Sequence, residues 1–343
     1  MKGGATEGLI NIRPSKPDII PKGGRKMETK DKVMRFLAVG LFCLAVGFFS
    51  SEAYPWGFAT HAYIADHLGK TKRIQNADEI YGGVAPDCFE YLFAHPDYVG
   101  FLSDQTHEEA TKLWNVSTQG LGKSLAFGFV SHNDVWGADS TAHHHGLTFG
   151  RSEGYIIAKA RLLADILNQV PDYAALNLPD EVTLEISHEL MEDGVDLLIK
   201  GIDPSIGQKL SSSATSRTSN FPVLLVKAYA GDFSQFAGIS LYEASKFIIS
   251  AEKEFRKSIV SYGQALMEDE ATAIQLISEG TAEVAEGFLE ANGVTAPPIE
   301  AIVPLIEFAI EQSIILCADD FSAEIAATID FVDQNLEAHG ISY

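Results

Sequence analysis

Apolar residues recur along this chain at steps of three and four. Ile156, Ala160, Leu163, Leu167 and Val170 form one such set. Leu241, Ala244, Ile248, Ala251, Phe255, Ile259, Tyr262 and Leu266 form a second, and Ile325, Ile329, Val332 and Leu336 a third. Each set falls on one face of an α-helix. Sustained alternation of period two is scarce, so the pattern predicts an all-α fold. Pro304 is expected to kink or divide the helical stretch 299–316. The polar, low-complexity run Ser211–Ser219 reads as a flexible loop, and Asn168–Pro179, with prolines at 171 and 179, as another. The stripes on either side of 211–219 need partners to bury them. One helical body over 54–343 is therefore favoured over two domains.

The first 53 residues break this pattern. Lys26, Lys30, Lys32 and Arg35 precede the 14-residue apolar run Phe36–Phe49, and Ser50, Ser51 and Ala53 follow. A basic stretch, a short apolar run and small residues predict a signal peptide and a periplasmic or secreted protein. The run falls short of the ~18–20 residues of a membrane span, which leaves an uncleaved anchor as the alternative. Met27 and Met34 are alternative starts. Net charge is −22 over 343 residues. So acidic a body repels phosphate backbones and disfavours duplex nucleic acid as a partner. Cys88 and Cys317 remain after the leader. They suit small buried side chains, a disulfide between them being the alternative.

Nine of the ten histidines lie between residues 61 and 188. Histidine with carboxylates and no thiolate suits a hydrolytic zinc centre. Five segments carry these donors. His188 and Glu192 sit four apart on an expected helix and share a face. His132, Asp134, Asp139 and the triple His143-His144-His145 crowd into Phe129–Gly146. Asp87 follows Pro86 in Gly82-Gly-Val-Ala-Pro-Asp. His107 lies in Ser103–Glu109, and His61 in Trp56–Asp66. Singly these signals are weak. A helical His–Glu pair is more often a surface contact, Asp87 an ordinary turn residue, and His61 a core histidine.

Taken in order, the five segments resemble the family of zinc-dependent phospholipase C, which shares its fold with fungal single-strand-specific zinc nucleases. The resemblance covers 56–192 and implies an all-helical, exported protein with a compact multi-helix fold holding two or three zinc ions. It implies that Trp56 binds zinc through its amino group and carbonyl, and that His61 completes that site. Asp87 would be the bridging catalytic carboxylate. His107, His132, Asp139 and His143 would be the next ligands, and His188 with Glu192 the closing pair. The family separates the central His and Asp by four positions, whereas seven separate His132 from Asp139. Convergence of His132, Asp139 and His143 on the same cluster as Asp87 then needs a helix break at Trp136-Gly137. Among His143, His144 and His145 the ligand stays open. The implied activity is metal-assisted phosphodiester hydrolysis of a phospholipid or related substrate, with peripheral membrane contact. A single-strand nuclease and an inactive helical binding relative are the alternatives. The chain has no persuasive Walker loop, dinucleotide fingerprint or G-x-S-x-G elbow.

Overall fold

Fifteen α-helices follow one another from Phe58 to Ala338, with 3-10 turns at 85–91 and 96–98 and no strand among the described residues. A computed structural model describes residues 56–68, 76–92, 95–118, 120–291 and 295–342. The leader 1–53, with its signal-peptide reading, lies outside them. The helices that matter for the site are α1 (Phe58–Leu68), α2 (Ala77–Val84), α3 (Val99–His107), α5 (Leu121–His132), α6 (Ala138–His143), α7 (Tyr155–Leu167) and α9 (Asp180–Ile202). Further on, α10 (Ile206–Ser216), α11 (Phe221–Ala237), α12 (Leu241–Leu266), α13 (Glu270–Ala291), α14 (Ile299–Cys317) and α15 (Phe321–Ala338) complete the body; α4 (Thr111–Val116) and α8 (Pro171–Ala174) are short.

The periodic positions become the core. Ile156, Ala160, Leu163 and Leu167 are buried, as are Ala244 through Leu266 of the second set and Ile325, Val332 and Leu336 of the third. One hydrophobic cluster runs from Trp56 to Ile341. Leu241 departs from its stripe and is exposed. It opens α12 beside Ser240, whose hydroxyl and Glu243 form a capping box. The first turn therefore projects past the packed surface.

Two local readings need correction. Residues 211–216 are the end of α10 and not a loop. Ile206, Leu210 and Ala214 form a buried i, i+4, i+8 stripe beneath the serines. Ser213, Thr215 and Ser216 return their hydroxyls to carbonyls three or four residues earlier, which keeps them compatible with a helix. Within Asn168–Pro179 there is a turn of helix, α8, with Pro171 at its start. Pro304 sits inside α14 without dividing it.

Helices α2 and α5 pack intimately. A Cβ on Gly82 would collide with the carbonyl of Leu125, and one on Gly128 with that of Glu79. Glycine at both positions lets the two backbones touch. That contact places the end of α5 against the turn that carries Asp87. The long α9 packs on α7 and α14 and also touches α1.

Candidate metal centre

His107, His132 and His143 are each the last residue of their helix. Unpaired carbonyls give a helix C-terminus partial negative charge, which favours a cation nearby. The turn at 85–91 brings Asp87 to the same place. Thr106 ties it to α3 by donating to the Pro86 carbonyl at 2.9 Å.

The seven-residue step from His132 to Asp139 is spanned by a break in the helix. Asn133 leaves the helical region with ψ 152°. Its Oδ1 accepts from the amides of Val135 and Trp136 at 3.0 and 2.9 Å, an Asx turn. The chain reverses, and Gly137 caps α6. A Cβ on Gly137 would lie 2.5 Å from the Asn133 carbonyl and 2.6 Å from that of His132. Only glycine lets the turn close this tightly.

The reversal folds Asp139 back onto His132. Asp139 Oδ2 is 2.8 Å from His132 Nε2 and 3.5 Å from His107 Nε2, and its Oδ1 is 2.9 Å from His61 Nε2. Asp87 Oδ1 is 3.2 Å from His107 Nε2 and 3.3 Å from His132 Nε2. A tetrahedral zinc with bonds of ~2.1 Å holds its ligand atoms about 3.4 Å apart. The donors therefore already stand at the separation one shared ion would impose. His61 and His132 stack at 3.9 Å between ring centres. On the adjoining side His188 Nε2 and Glu192 Oε1 are 2.8 Å apart on α9, and the His143 ring meets that of His188 edge-on at 5.2 Å. Four donor sets result: Asp87, His107 and His132; His61, His132 and Asp139; Asp134, Asp139 and His143; His143, His188 and Glu192. Their donor atoms lie within 4.8 Å of one another in each set. These buried groups can hold metal ions.

Backbone and side-chain partners fix the tautomers this requires. His132 Nδ1 lies 2.7 Å from the Gly83 carbonyl, and His107 Nδ1 2.8 Å from that of Ser103. Each ring thereby turns Nε2 toward the cluster. His143 Nδ1 faces Asp134 Oδ1 at 3.3 Å. Within the triple histidine, His143 is the residue directed inward. His144 is half exposed and pairs with Asp134, while His145 meets Phe331.

Several buried ligand atoms make no aligned hydrogen bond among the described residues: His61 Nε2, Asp87 Oδ2, both Asp139 oxygens, His143 Nε2 and Glu192 Oε1. Leaving such atoms unsatisfied costs about 1–3 kcal/mol each, and a metal ion relieves that cost. The electrostatics agree. Burial, with His132 nearby, lowers His61 to about 4. Burial favours neutral Asp139, but the charges of His132 and His61 override it and hold this carboxyl far below the usual range. Glu192 is pushed well up by burial and by the carboxylates of Glu189, Asp196, Asp139 and Asp87. Carboxylates thus crowd together here, and divalent cations would offset their mutual repulsion.

Trp56 is fully buried, with its indole N–H donating to the Ala138 carbonyl at 3.0 Å and its ring stacked on Tyr155. The side chain thus docks the start of α1 on α6, next to Asp139. Asp196, not singled out from sequence, performs the companion task. It accepts from the amides of Ala59 and Thr60, the Thr60 hydroxyl and Tyr262, at 2.7–2.9 Å. Its spacing from Glu192 and His188, four and eight positions on one helix, was the available signal. Cys88 and Cys317 are both buried and free. Comparison with protein-family models, curated proteins and solved structures finds no match to this chain.

Proposed function

We propose that the protein is a zinc-dependent phosphodiester hydrolase resembling the phospholipase C family. The carrying observation is the convergence of four donor sets, joined in turn through the shared His132, Asp139 and His143. The donors are imidazole and carboxylate without thiolate, a set that suits hydrolytic rather than structural zinc. His107, His132, Asp87 and Asp139 would hold one ion, His61 with Asp139 a second, and His143, His188 and Glu192 a third. Bound zinc would acidify a water and offset negative charge on phosphoryl oxygens. The protein's own part is orientation and proton handling. The carbonyls of Gly83 and Ser103 aim His132 and His107, and Asp134 aims His143. Asp87 Oδ1 sits between two histidines, which leaves Oδ2 to accept the proton of the attacking water. The inactive relative is favoured by the altered central spacing; the Asn133–Gly137 reversal, which folds Asp139 back onto His132, supports the enzymatic reading.

The test is metal content and turnover on the same sample. Mature protein expressed with zinc and without chelator should retain two or three zinc ions and hydrolyse a phosphodiester dye. Comparison of a phospholipid with single-stranded DNA then separates the two enzymatic readings. Absence of any transition metal by elemental analysis would reject the proposal.

A further inference from the structure

Helix α15 carries none of the candidate ligands, yet one of its faces runs along the stretch 136–149, which bears Asp139 and His143. Glu324, Thr328 and Phe331 share that face, and His339 follows just past the end of the helix. Each of the four meets the stretch. The Thr328 hydroxyl lies 2.9 Å from that of Thr141. The Phe331 ring meets that of His145 at 5.3 Å, and the His339 ring stacks on Trp136 at 4.3 Å. Glu324 makes the firmest hold. Its Oε1 accepts from the Leu147 amide at 2.6 Å. Its Oε2 accepts from the Thr148 amide at 2.6 Å, the Thr148 hydroxyl at 2.5 Å and the Phe149 amide at 3.4 Å. Glu324 is fully buried, and a carboxyl is costly to bury unless donors satisfy it. These donors all belong to one loop, and successive amides converging on an oxyanion form a nest. Both ends of that loop meet at His143. The chain leaves α6 through His144, whose amide donates to the Ser140 carbonyl at 3.1 Å. It returns at Gly154, where a Cβ would collide with the Ala142 carbonyl and the His143 amide.

We propose that Glu324 is a positioning residue of the metal centre: by holding the loop that leaves α6 and returns to it, it sets the His143 ring against His188 and Glu192. This role rests on the metal-binding half of the proposed function and is independent of the phosphodiesterase half. The placement of the other donors makes the effect selective. Helix α15 packs on α1 and α6, whereas Asp87, His107 and His188 sit on the 85–91 turn, α3 and α9. The grip of Glu324 on 147–149 therefore reaches the metal centre at His143. Glutamine is the discriminating substitution. It keeps the size of the side chain but replaces one acceptor oxygen with an NH2 donor. Both carboxyl oxygens of Glu324 face N–H groups, so whichever way the amide turns, donor opposes donor and one end of the loop is released.

The experiment is a zinc competition titration of the mature protein against a chromogenic chelator, with every variant held well below its unfolding transition. Glu324→Gln should weaken one ion by about tenfold, the low end of the effect of losing a residue that orients a metal ligand, and leave the others at wild-type affinity. In a His188→Ala background, which already lacks that ion, Glu324→Gln should weaken nothing further. Thr148→Val removes only the hydroxyl donor and should weaken the same ion about threefold. It covers the case in which Glu324→Gln fails to fold. Val332→Ala is the control for stability, since it opens a cavity on the same helix at a buried position. It should lower the melting temperature and leave every zinc affinity unchanged. Equal affinities in wild type and the folded Glu324 and Thr148 variants overturn the role and leave the metal centre standing. So does equal weakening of every ion, or the same selective loss in Val332→Ala. A wild type that retains no zinc overturns the role and the metal centre together.

Discussion

The ring of His132 belongs to two of the four donor sets, and its position depends on residues that carry no chemistry. Gly83 supplies the carbonyl that orients it, and Gly137 allows the reversal that returns Asp139 to it. Gly137→Ala should therefore behave like a ligand mutation. We expect a loss of about 2–4 kcal/mol, since the displaced atoms are backbone carbonyls, together with loss of zinc from the Asp139 sites. Denaturant unfolding and metal analysis on one preparation check both. A stable protein with full zinc content would show that the turn has room to adjust. His188→Ala should instead remove one ion and leave the others, because the remaining ligands sit on other helices. Activity and stability should fall together, since metal binding adds to folding free energy. Equal zinc content and turnover in mutant and wild type would reject that role. Most of these converging donors were legible from residue type and order. Gly137 was legible only as a helix breaker, and the closeness of its contact was not.

At the scale of elements, α9 organises the site with three distinct faces. His188 and Glu192 face the candidate metal centre, Ile186 and Leu190 an apolar cavity between α7, α9, α13 and α14, and Asp196 holds the start of α1. Asp196→Ala should cost about 2–4 kcal/mol by leaving buried amides unpaired. It should also weaken the His61 site selectively, which a cobalt-substituted absorption spectrum would register. Glu185, also on α9 at the cavity, gives a pH signature. Burial raises its carboxyl to about 7. The folded protein therefore binds a proton there that the unfolded chain, titrating near 4.5, has already lost. Stability contributed by the neutral group is present below pH ~4.5 and is lost as pH rises toward 7. Glu185→Gln should thus leave stability unchanged at pH 4 and raise it by about 2 kcal/mol at pH 8. Denaturant midpoints at the two pH values decide it, and an equal effect at both would place the cause elsewhere. Periodicity revealed the helices that carry a strong apolar stripe. It missed the end of α10, where serines covered the stripe and only their backbone-directed hydroxyls show that they belong to a helix.

For the whole molecule, the metal centre draws donors from α1, the 85–91 turn, α3, α5, α6 and α9. Bound ions would cross-link the body, so chelation should destabilise it globally. With zinc a thousandfold above its dissociation constant the stabilisation is about 4 kcal/mol. Removal by a chelator should lower the melting temperature by roughly 5–10 °C, reversibly on re-addition of zinc. Unchanged melting would place the donors outside any metal site. The sequence by itself determined what local chemistry and periodicity can express. Helices follow from apolar steps of three and four, and the candidate ligands from imidazole and carboxylate in a thiol-free set. If His132 and Asp139 are to converge, a helix break between them follows from a spacing that no straight helix can bridge. Tertiary structure decided the rest, because it depends on which distant surfaces meet. Which of three adjacent histidines points inward is fixed by Asp134. Whether Asp139 reaches His61, 78 positions away, is fixed by Asp196 and Trp56 docking α1. The apolar cavity between four helices leaves no local pattern, since its lining residues are ordinary core residues until packing leaves a space among them.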